Sequence, residues 1–221
     1  MAVADPKDYL ADIIAILRKD TDDKRFLNIV CHGHSVPAGY FANPMVNTLN
    51  AYPHLLLEGL KHRFPFSLVN VIVTAIGGEN SRSGAKRFEE EVLCHHPKLI
   101  TIDYGLNDRG IGLEEARSAW TSMIEEALSC DVRLLLMTPT SDITQRPGVP
   151  EEEKHPLQEH AQQIRDLAAG YGVGLVDSLA AFGRHQQQSV DLTNLLAWRN
   201  HPNRDGHEIV AREILRWFPI A

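Results

Sequence analysis

The stretch FLNIVCHGHS, residues 26–35, joins a run of apolar residues to a short polar turn. The run Phe26–Cys31 lacks the alternation of polar and apolar residues that marks a strand with one wet face, so it is typical of a strand buried on both faces. Four later runs, rich in Val, Ile and Leu, have the same character: Val69–Ile76, Leu99–Tyr104, Val132–Met137 and Val173–Val176. Each of the five runs is predicted to be a buried strand.

Segments with apolar residues at helical spacing lie before, between and after these runs. Their stripes are carried by Leu10, Ile13, Ile14 and Leu17; by Tyr52, Leu56, Leu60 and Phe64; by Ala85, Phe88 and Val92 within Ser83–His95; by Ala116, Trp120, Met123, Ile124 and Ala127 within Leu113–Leu128; by Leu157, Ala161, Ile164 and Leu167, ending before Gly170; and by Val210, Ile214 and Trp217 within Arg204–Trp217.

Repeated alternation of strand and helix predicts an α/β fold. We expect a doubly wound, mainly parallel five-stranded sheet with helices on both faces, in a flavodoxin-like three-layer arrangement. The length of 221 residues suits a single domain over residues 1–221. The stretch Pro139–Pro156, rich in proline and charge, is predicted to be a long loop within that domain.

The overall composition excludes several classes of protein. Hydrophobic residues make up 43% of the chain and charged residues 23%, close to globular averages, which disfavours disorder, collagen and coiled coil. The 22 Lys and Arg against 29 Asp and Glu give a formal net charge of −7, which argues against binding to nucleic acid or to an anionic membrane. The acidic runs Asp20–Asp23 and Glu151–Glu153 are expected to be solvated or to begin helices.

The three cysteines, Cys31, Cys94 and Cys130, form no CxxC pair and leave an odd thiol in any disulfide scheme. This pattern suits a reducing compartment and disfavours a zinc site built on cysteine. Neither a targeting segment nor a run of about 18 apolar residues is visible, so a cytoplasmic location is expected. Eleven histidines are left to explain, and they contain no HExxH or comparable set of metal ligands.

The segments that follow the predicted strands hold the residues suited to chemistry, because loops at the carboxyl ends of parallel strands converge on a crevice. Ser35 follows the first strand, Gly78 the second and Asn107 the third, and His201 precedes the last helix. Taken singly, each has a plain structural interpretation as a turn or loop residue. Taken in order, they supply a nucleophile, two donors to an oxyanion and a general base, which acyl transfer requires.

The order and content of these blocks resemble the SGNH hydrolase superfamily, also called GDSL-like lipases and acylhydrolases, over Ile29–Val210. The resemblance implies a carboxylic-ester hydrolase without cofactor or metal. Ser35 would be the nucleophile, Gly78 a backbone oxyanion donor, Asn107 a side-chain oxyanion donor and His201 the base. The final block, HPNxxGH, selects His201 over the later histidine of the same block.

Two departures from the family pattern are visible. The first block reads Gly-His-Ser, with His34 where the family usually has Asp. In the last block Trp198 stands three residues before His201, where the family usually has the Asp that orients the imidazole. Three substitutes remain open: the backbone carbonyl of Trp198, a carboxylate from elsewhere such as Asp191 or Glu79, or no orienting partner.

The expected substrate is a small or polar ester such as an O-acetylated carbohydrate, since no apolar lid is apparent. Arg82 and Arg109 are candidates for binding it, with a place in surface salt bridges as the alternative for both. Rival functions are a non-catalytic carbohydrate-binding protein of the same fold, a flavodoxin-like binding module and a metal-dependent hydrolase. The second lacks a Ser/Thr-rich phosphate loop after the first strand, and the third lacks a ligand motif.

Overall fold

A computed structural model describes residues 2–19, 26–188 and 190–220, so the acidic run Asp20–Asp23 lies outside the described residues. Five strands form one parallel sheet in the order β4-β1-β5-β6-β7, and two short strands, β2 and β3, form an antiparallel hairpin. The strands are β1 (Leu27–Gly33), β2 (Tyr40–Ala42), β3 (Met45–Val46), β4 (Val69–Val73), β5 (Leu99–Asp103), β6 (Arg133–Met137) and β7 (Gly174–Val176).

Helices pack on both faces of the sheet. They are α1 (Ala11–Leu17), α2 (Ser35–Ala38), α3 (Tyr52–Arg63), α4 (Ser81–Lys86), α5 (Phe88–Glu91), α6 (Leu113–Ser129), α7 (Glu151–Tyr171), α8 (Ser178–Gln187) and α9 (Arg204–Leu215). Alternate residues of each strand point to opposite faces. Accordingly, Ile29 and Cys31 join a cluster with α1, α3, α8 and α9, whereas Val30 joins a cluster with α5, α6 and α7. The predicted three-layer α/β fold is confirmed.

Two helical segments differ from the prediction. The helix expected over Ser83–His95 is interrupted at Arg87, which has φ −112° and ψ 11° and separates α4 from α5. The loop expected over Pro139–Pro156 ends early, because α7 begins at Glu151 and includes Pro156. The buried stripe of α7 outweighs the one hydrogen bond that a proline near the start of a helix removes. The helix also continues beyond its expected end, which was just before Gly170. Its last residue is Tyr171, and the next residue, Gly172, caps it with a left-handed φ of +66°.

The sheet order determines which loops can meet. Strand β1 lies between β4 and β5, so the segment after β1 is flanked by the segments that follow its two neighbours. Gly33 pairs with Asp103 across β1 and β5, and a Cβ atom at Gly33 would collide with the Asp103 carbonyl oxygen. Only glycine therefore fits where β1 turns towards α2. Of the helices in the described ranges, none is both long and apolar enough to span a bilayer.

Candidate active site

Ser35 is the first residue of α2, immediately after β1. The helix is a single turn that ends at Gly39, which has φ +90°. Ser35 is 6% exposed and is therefore buried. Its Oγ is within hydrogen-bond distance of two imidazoles, His201 Nε2 at 2.9 Å and His34 Nδ1 at 3.3 Å.

His201 lies in the loop before α9, 166 residues along the chain from Ser35. Its carbonyl accepts hydrogen bonds from the N–H groups of Ala197 (2.9 Å) and Trp198 (3.3 Å), which fixes the loop. Asn203 then caps α9, its side-chain oxygen accepting from the Gly206 N–H at 3.1 Å. The structure thus brings together a serine and a histidine that are 166 residues apart in the chain.

The imidazole of His201 is mostly buried, and its ring lies 6.1 Å from that of Tyr40. Burial lowers the pKa of His201 below its usual value, an effect that the backbone carbonyl of Phe41 opposes. A lowered pKa keeps the ring neutral near pH 7. Neutral His201 has a free lone pair on Nε2 that can accept the proton of the Ser35 hydroxyl.

The two remaining residues of the predicted site follow the two strands that neighbour β1. Gly78 follows β4 with φ +83°, and a Cβ atom there would contact nothing within 4 Å. Asn107 follows β5, and its amide Nδ2 donates to the Glu79 carbonyl at 2.7 Å. That bond uses one of two amide hydrogens and ties the loop after β4 to the loop after β5.

None of the three candidates for orienting His201 is hydrogen-bonded to its Nδ1 within the described residues. The Glu79 carboxylate binds Arg87 and accepts a hydrogen bond from the Tyr104 hydroxyl. The Asp191 carboxylate caps a short 3₁₀ turn by accepting from the N–H and hydroxyl of Thr193. The Trp198 carbonyl likewise accepts no hydrogen bond from this ring. The backbone carbonyl that acts on His201, raising its pKa, is that of Phe41.

Sequence reasoning missed the groups that hold the two flanking loops in place. The Arg87–Glu79 pair anchors the turn that contains Gly78. The buried carboxylate of Asp108 accepts from the Ser81 N–H (2.8 Å) and from the Trp120 indole N–H (2.7 Å). Burial raises the pKa of Asp108, and these hydrogen bonds oppose the shift. The sequence signal for Asp108 was its place directly after Asn107.

Both arginine candidates for substrate binding are held in ion pairs. Arg82 Nη1 lies 2.8 Å from Glu115 Oε1 on the surface. Arg109 Nη2 lies 2.8 Å from Asp142 Oδ2, and its Nε donates to the Leu106 carbonyl at 2.9 Å. These pairs agree with the salt-bridge alternative. Arg109 is three-quarters buried, and its ion pair joins the segment after β5 to the segment after β6.

The many histidines do not form a metal site in the described residues, which contain no group of three or more His, Cys, Asp or Glu side chains able to hold an ion. His207 is fully buried, accepts from the Tyr52 N–H through Nδ1 at 3.1 Å and stacks on Phe41. Burial lowers the pKa of His207 to about 3. It is a neutral packing residue. His34 is different, since it contacts Ser35 on one side and Asp103 on the other.

Comparison of the sequence with known proteins shows that the chain is similar to hydrolases. The family model for GDSL-like lipase/acylhydrolase proteins matches residues 31–209, which include all four blocks. An acetylxylan esterase from Geobacillus stearothermophilus is 25% identical over 170 residues, covering 69% of this chain and 74% of that protein.

Solved structures share the fold. The crystal structure of Axe2, an acetylxylan esterase from Geobacillus stearothermophilus, has a TM-score of 0.74 at 24% identity, covering 88% of this chain and 95% of that one. The structure of LAE5, an alpha/beta hydrolase enzyme from the metagenome of Lake Arreo, Spain, has a TM-score of 0.75 at 22% identity, covering 87% and 94%. The resemblance identified from the sequence is confirmed.

Proposed function

Because the chain belongs to the GDSL-like lipase/acylhydrolase family and is a carboxylic-ester hydrolase, we propose that it cleaves a small or polar ester through Ser35 and His201. The observation that carries the proposal is the 2.9 Å contact between Ser35 Oγ and His201 Nε2. A neutral imidazole at this distance from a serine hydroxyl is the arrangement from which nucleophilic acyl transfer begins.

In the first half-reaction His201 Nε2 takes the hydroxyl proton as Ser35 Oγ attacks the ester carbonyl carbon. The oxyanion that forms accepts hydrogen bonds from the N–H groups of Ser35 and Gly78 and from the Asn107 amide. Protonated His201 then gives its proton to the leaving alcohol, and an acyl-enzyme on Ser35 remains. In the second half-reaction water loses a proton to His201 as it attacks the acyl carbon. The bond between that carbon and Ser35 Oγ then breaks, His201 returns the proton to Oγ, and the carboxylic acid leaves.

The imidazolium of this mechanism has no carboxylate hydrogen-bonded to Nδ1 within the described residues, although the Phe41 backbone carbonyl favours its charged form. Further stabilisation would come from the oxyanion that forms nearby in the same step. The lowered pKa of His201 fits this arrangement, since it keeps the base unprotonated before the reaction begins.

The pH dependence of the reaction should reflect the lowered pKa of the buried base, His201. The pKa of His201 is lowered from 6.5, so the neutral form persists to lower pH than for an exposed histidine. We expect the acid limb of kcat/KM for p-nitrophenyl acetate to have its inflection below pH 6.5, measured at constant ionic strength. An inflection above pH 6.5 would contradict His201 as the base in this environment.

We propose an O-acetylated carbohydrate as the substrate class, supported by the similarity to an acetylxylan esterase. The test is a panel of p-nitrophenyl esters together with acetylated xylo-oligosaccharides. The enzyme should cleave p-nitrophenyl acetate at least about tenfold faster than the decanoate, since a small acyl site gains nothing from the longer chain and must exclude it. It should also release acetate from the oligosaccharide.

Faster cleavage of the decanoate would contradict the acetyl assignment. Binding of the oligosaccharide with no hydrolysis of any ester would contradict the catalytic proposal, and would favour the non-catalytic carbohydrate-binding protein.

A further inference from the structure

A second imidazole and carboxylate lie beneath Ser35, outside the mechanism above. His34 is 1% exposed and Asp103 is 2% exposed. The His34 Nε2 atom lies 3.4 Å from Asp103 Oδ1. His34 occupies the position next to the nucleophile, and Asp103 is the last residue of β5.

The hydrogen bonds of His34 determine which ring nitrogen carries its proton. The Val36 N–H donates to His34 Nδ1 at 3.2 Å, and a nitrogen that accepts a hydrogen bond cannot hold a proton. The proton of the neutral ring is therefore on Nε2, which faces Asp103. Within the described part of the chain neither Nε2 nor Asp103 Oδ1 has another partner. Leaving a buried donor or acceptor unpaired costs free energy of folding. A hydrogen bond from His34 Nε2–H to Asp103 Oδ1, formed by shortening this 3.4 Å contact, satisfies both groups.

The backbone holds the same two residues together. The His34 N–H donates to the Asp103 carbonyl at 3.2 Å, and Gly33 packs on that carbonyl with no room for a side chain. Asp103 thus contacts His34 twice, through its backbone carbonyl and through its side-chain carboxylate. The position of the imidazole relative to α2 is fixed by the end of β5.

This arrangement also directs the Ser35 hydroxyl. Two acceptors are near Oγ, His201 Nε2 at 2.9 Å and His34 Nδ1 at 3.3 Å. The Val36 N–H already occupies the Nδ1 lone pair, so the hydroxyl proton is left to His201. In the opposite tautomer Nδ1–H would face the Val36 N–H, and it would donate to Oγ in competition with the reaction.

Resting on Ser35 as the nucleophile, we propose that Asp103 and His34 are positioning residues for it. Asp103 holds His34 in the Nε2–H tautomer, and His34 Nδ1 pins the first turn of α2 through Val36. Ser35 Oγ is thereby kept directed at His201. The family pattern places a carboxylate beside the base. In this chain a carboxylate, Asp103, and an imidazole, His34, lie beside the nucleophile instead.

The proposal is tested with a double-mutant cycle on full-length protein. In Asp103→Asn the amide can donate to Nε2 and so favour the wrong tautomer of His34, which should lower kcat for p-nitrophenyl acetate by roughly 10- to 10²-fold with KM within about twofold. His34→Asn keeps an oxygen that can accept the Val36 N–H but has no tautomer for Asp103 to set. In that background Asp103→Asn should lower kcat by less than about twofold.

The matched control is Thr101→Val, which alters a buried polar side chain on the same face of β5 two residues earlier and should leave kcat unchanged. A purely structural role for Asp103 would lower kcat equally in both backgrounds, or not at all, and either result would overturn the proposal. A readout independent of activity is the long-range ¹H–¹⁵N spectrum of the imidazoles, assigned with His34→Asn. It should show His34 as the Nε2–H tautomer in the wild type, and Nδ1–H there would refute the proposal.

The failure of the proposed function looks different from the failure of this inference. If Ser35→Ala retains wild-type hydrolysis, the nucleophile assignment is lost. If hydrolysis depends on Ser35 and the cycle shows no coupling between His34 and Asp103, only the positioning role is lost.

Discussion

Replacing Ser35 by Ala is expected to lower kcat for p-nitrophenyl acetate at least about 10³-fold, to the level set by binding and the oxyanion donors alone. The reason is that Ser35 Oγ is the atom within 2.9 Å of the base His201, and alanine removes it without changing the backbone of α2. The comparison uses steady-state kinetics of purified protein, with the thermal midpoint measured alongside to show that the variant is folded.

Ser178→Ala is the matched control for this substitution. Ser178 is also a buried serine that begins a helix directly after a strand end, but it lies at the β7 edge of the sheet, away from β1. Its hydroxyl has no hydrogen-bond partner within the described residues, so its loss should leave kcat unchanged. Wild-type turnover by Ser35→Ala, or equal losses in the two variants, would contradict the assignment.

The second large effect is expected for Asn107→Ala, which should lower kcat by about 10²- to 10³-fold with little change in KM, as typically follows loss of one oxyanion donor. The amide donates to the Glu79 carbonyl through one hydrogen, so it is rigidly aimed before the substrate arrives. Asn107→Asp keeps the shape of the side chain and replaces the donor with a carboxylate. It should be at least as damaging, because like charge then faces the oxyanion.

Asn70→Ala provides the comparison for Asn107. Asn70 also donates an amide hydrogen bond, to Asn28 Oδ1 at 2.9 Å, but it is exposed near the start of β4. Its loss should leave kcat unaltered. Turnover of Asn107→Ala equal to that of Asn70→Ala would remove Asn107 from the oxyanion site, and a rise in KM alone would make it a group for binding substrate.

The sequence was most informative where a residue's environment is set by its neighbours along the chain. Strands buried on both faces have uninterrupted apolar runs, which located all five strands of the sheet to within a few residues. The helix α7 was placed too late, because Pro156 and the charges before it resemble a loop when read locally. Residues 151–156 have no buried side chain of their own, and they are helical as the first turns of a helix whose buried stripe begins at Leu157.

Some residues of the site could likewise be predicted from the sequence, and others could not. The order of strands and loops brought Ser35 and His201 together across 166 residues, since parallel strands end at one edge. The partner of His201 was not predictable, because carboxylates near it in sequence, such as Asp191, are used in local turns. The pair of His34 and Asp103 was missed as well, since only the register of β1 on β5 places them side by side.

Activation of Ser35 by His201 can be measured through the mass of the intact protein after treatment with a fluorophosphonate. We expect one phosphonyl adduct per chain, located on Ser35 by peptide mapping, absent from Ser35→Ala and formed far more slowly in His201→Ala. A wild-type protein that stays unlabelled, or a label found on another residue, would contradict it.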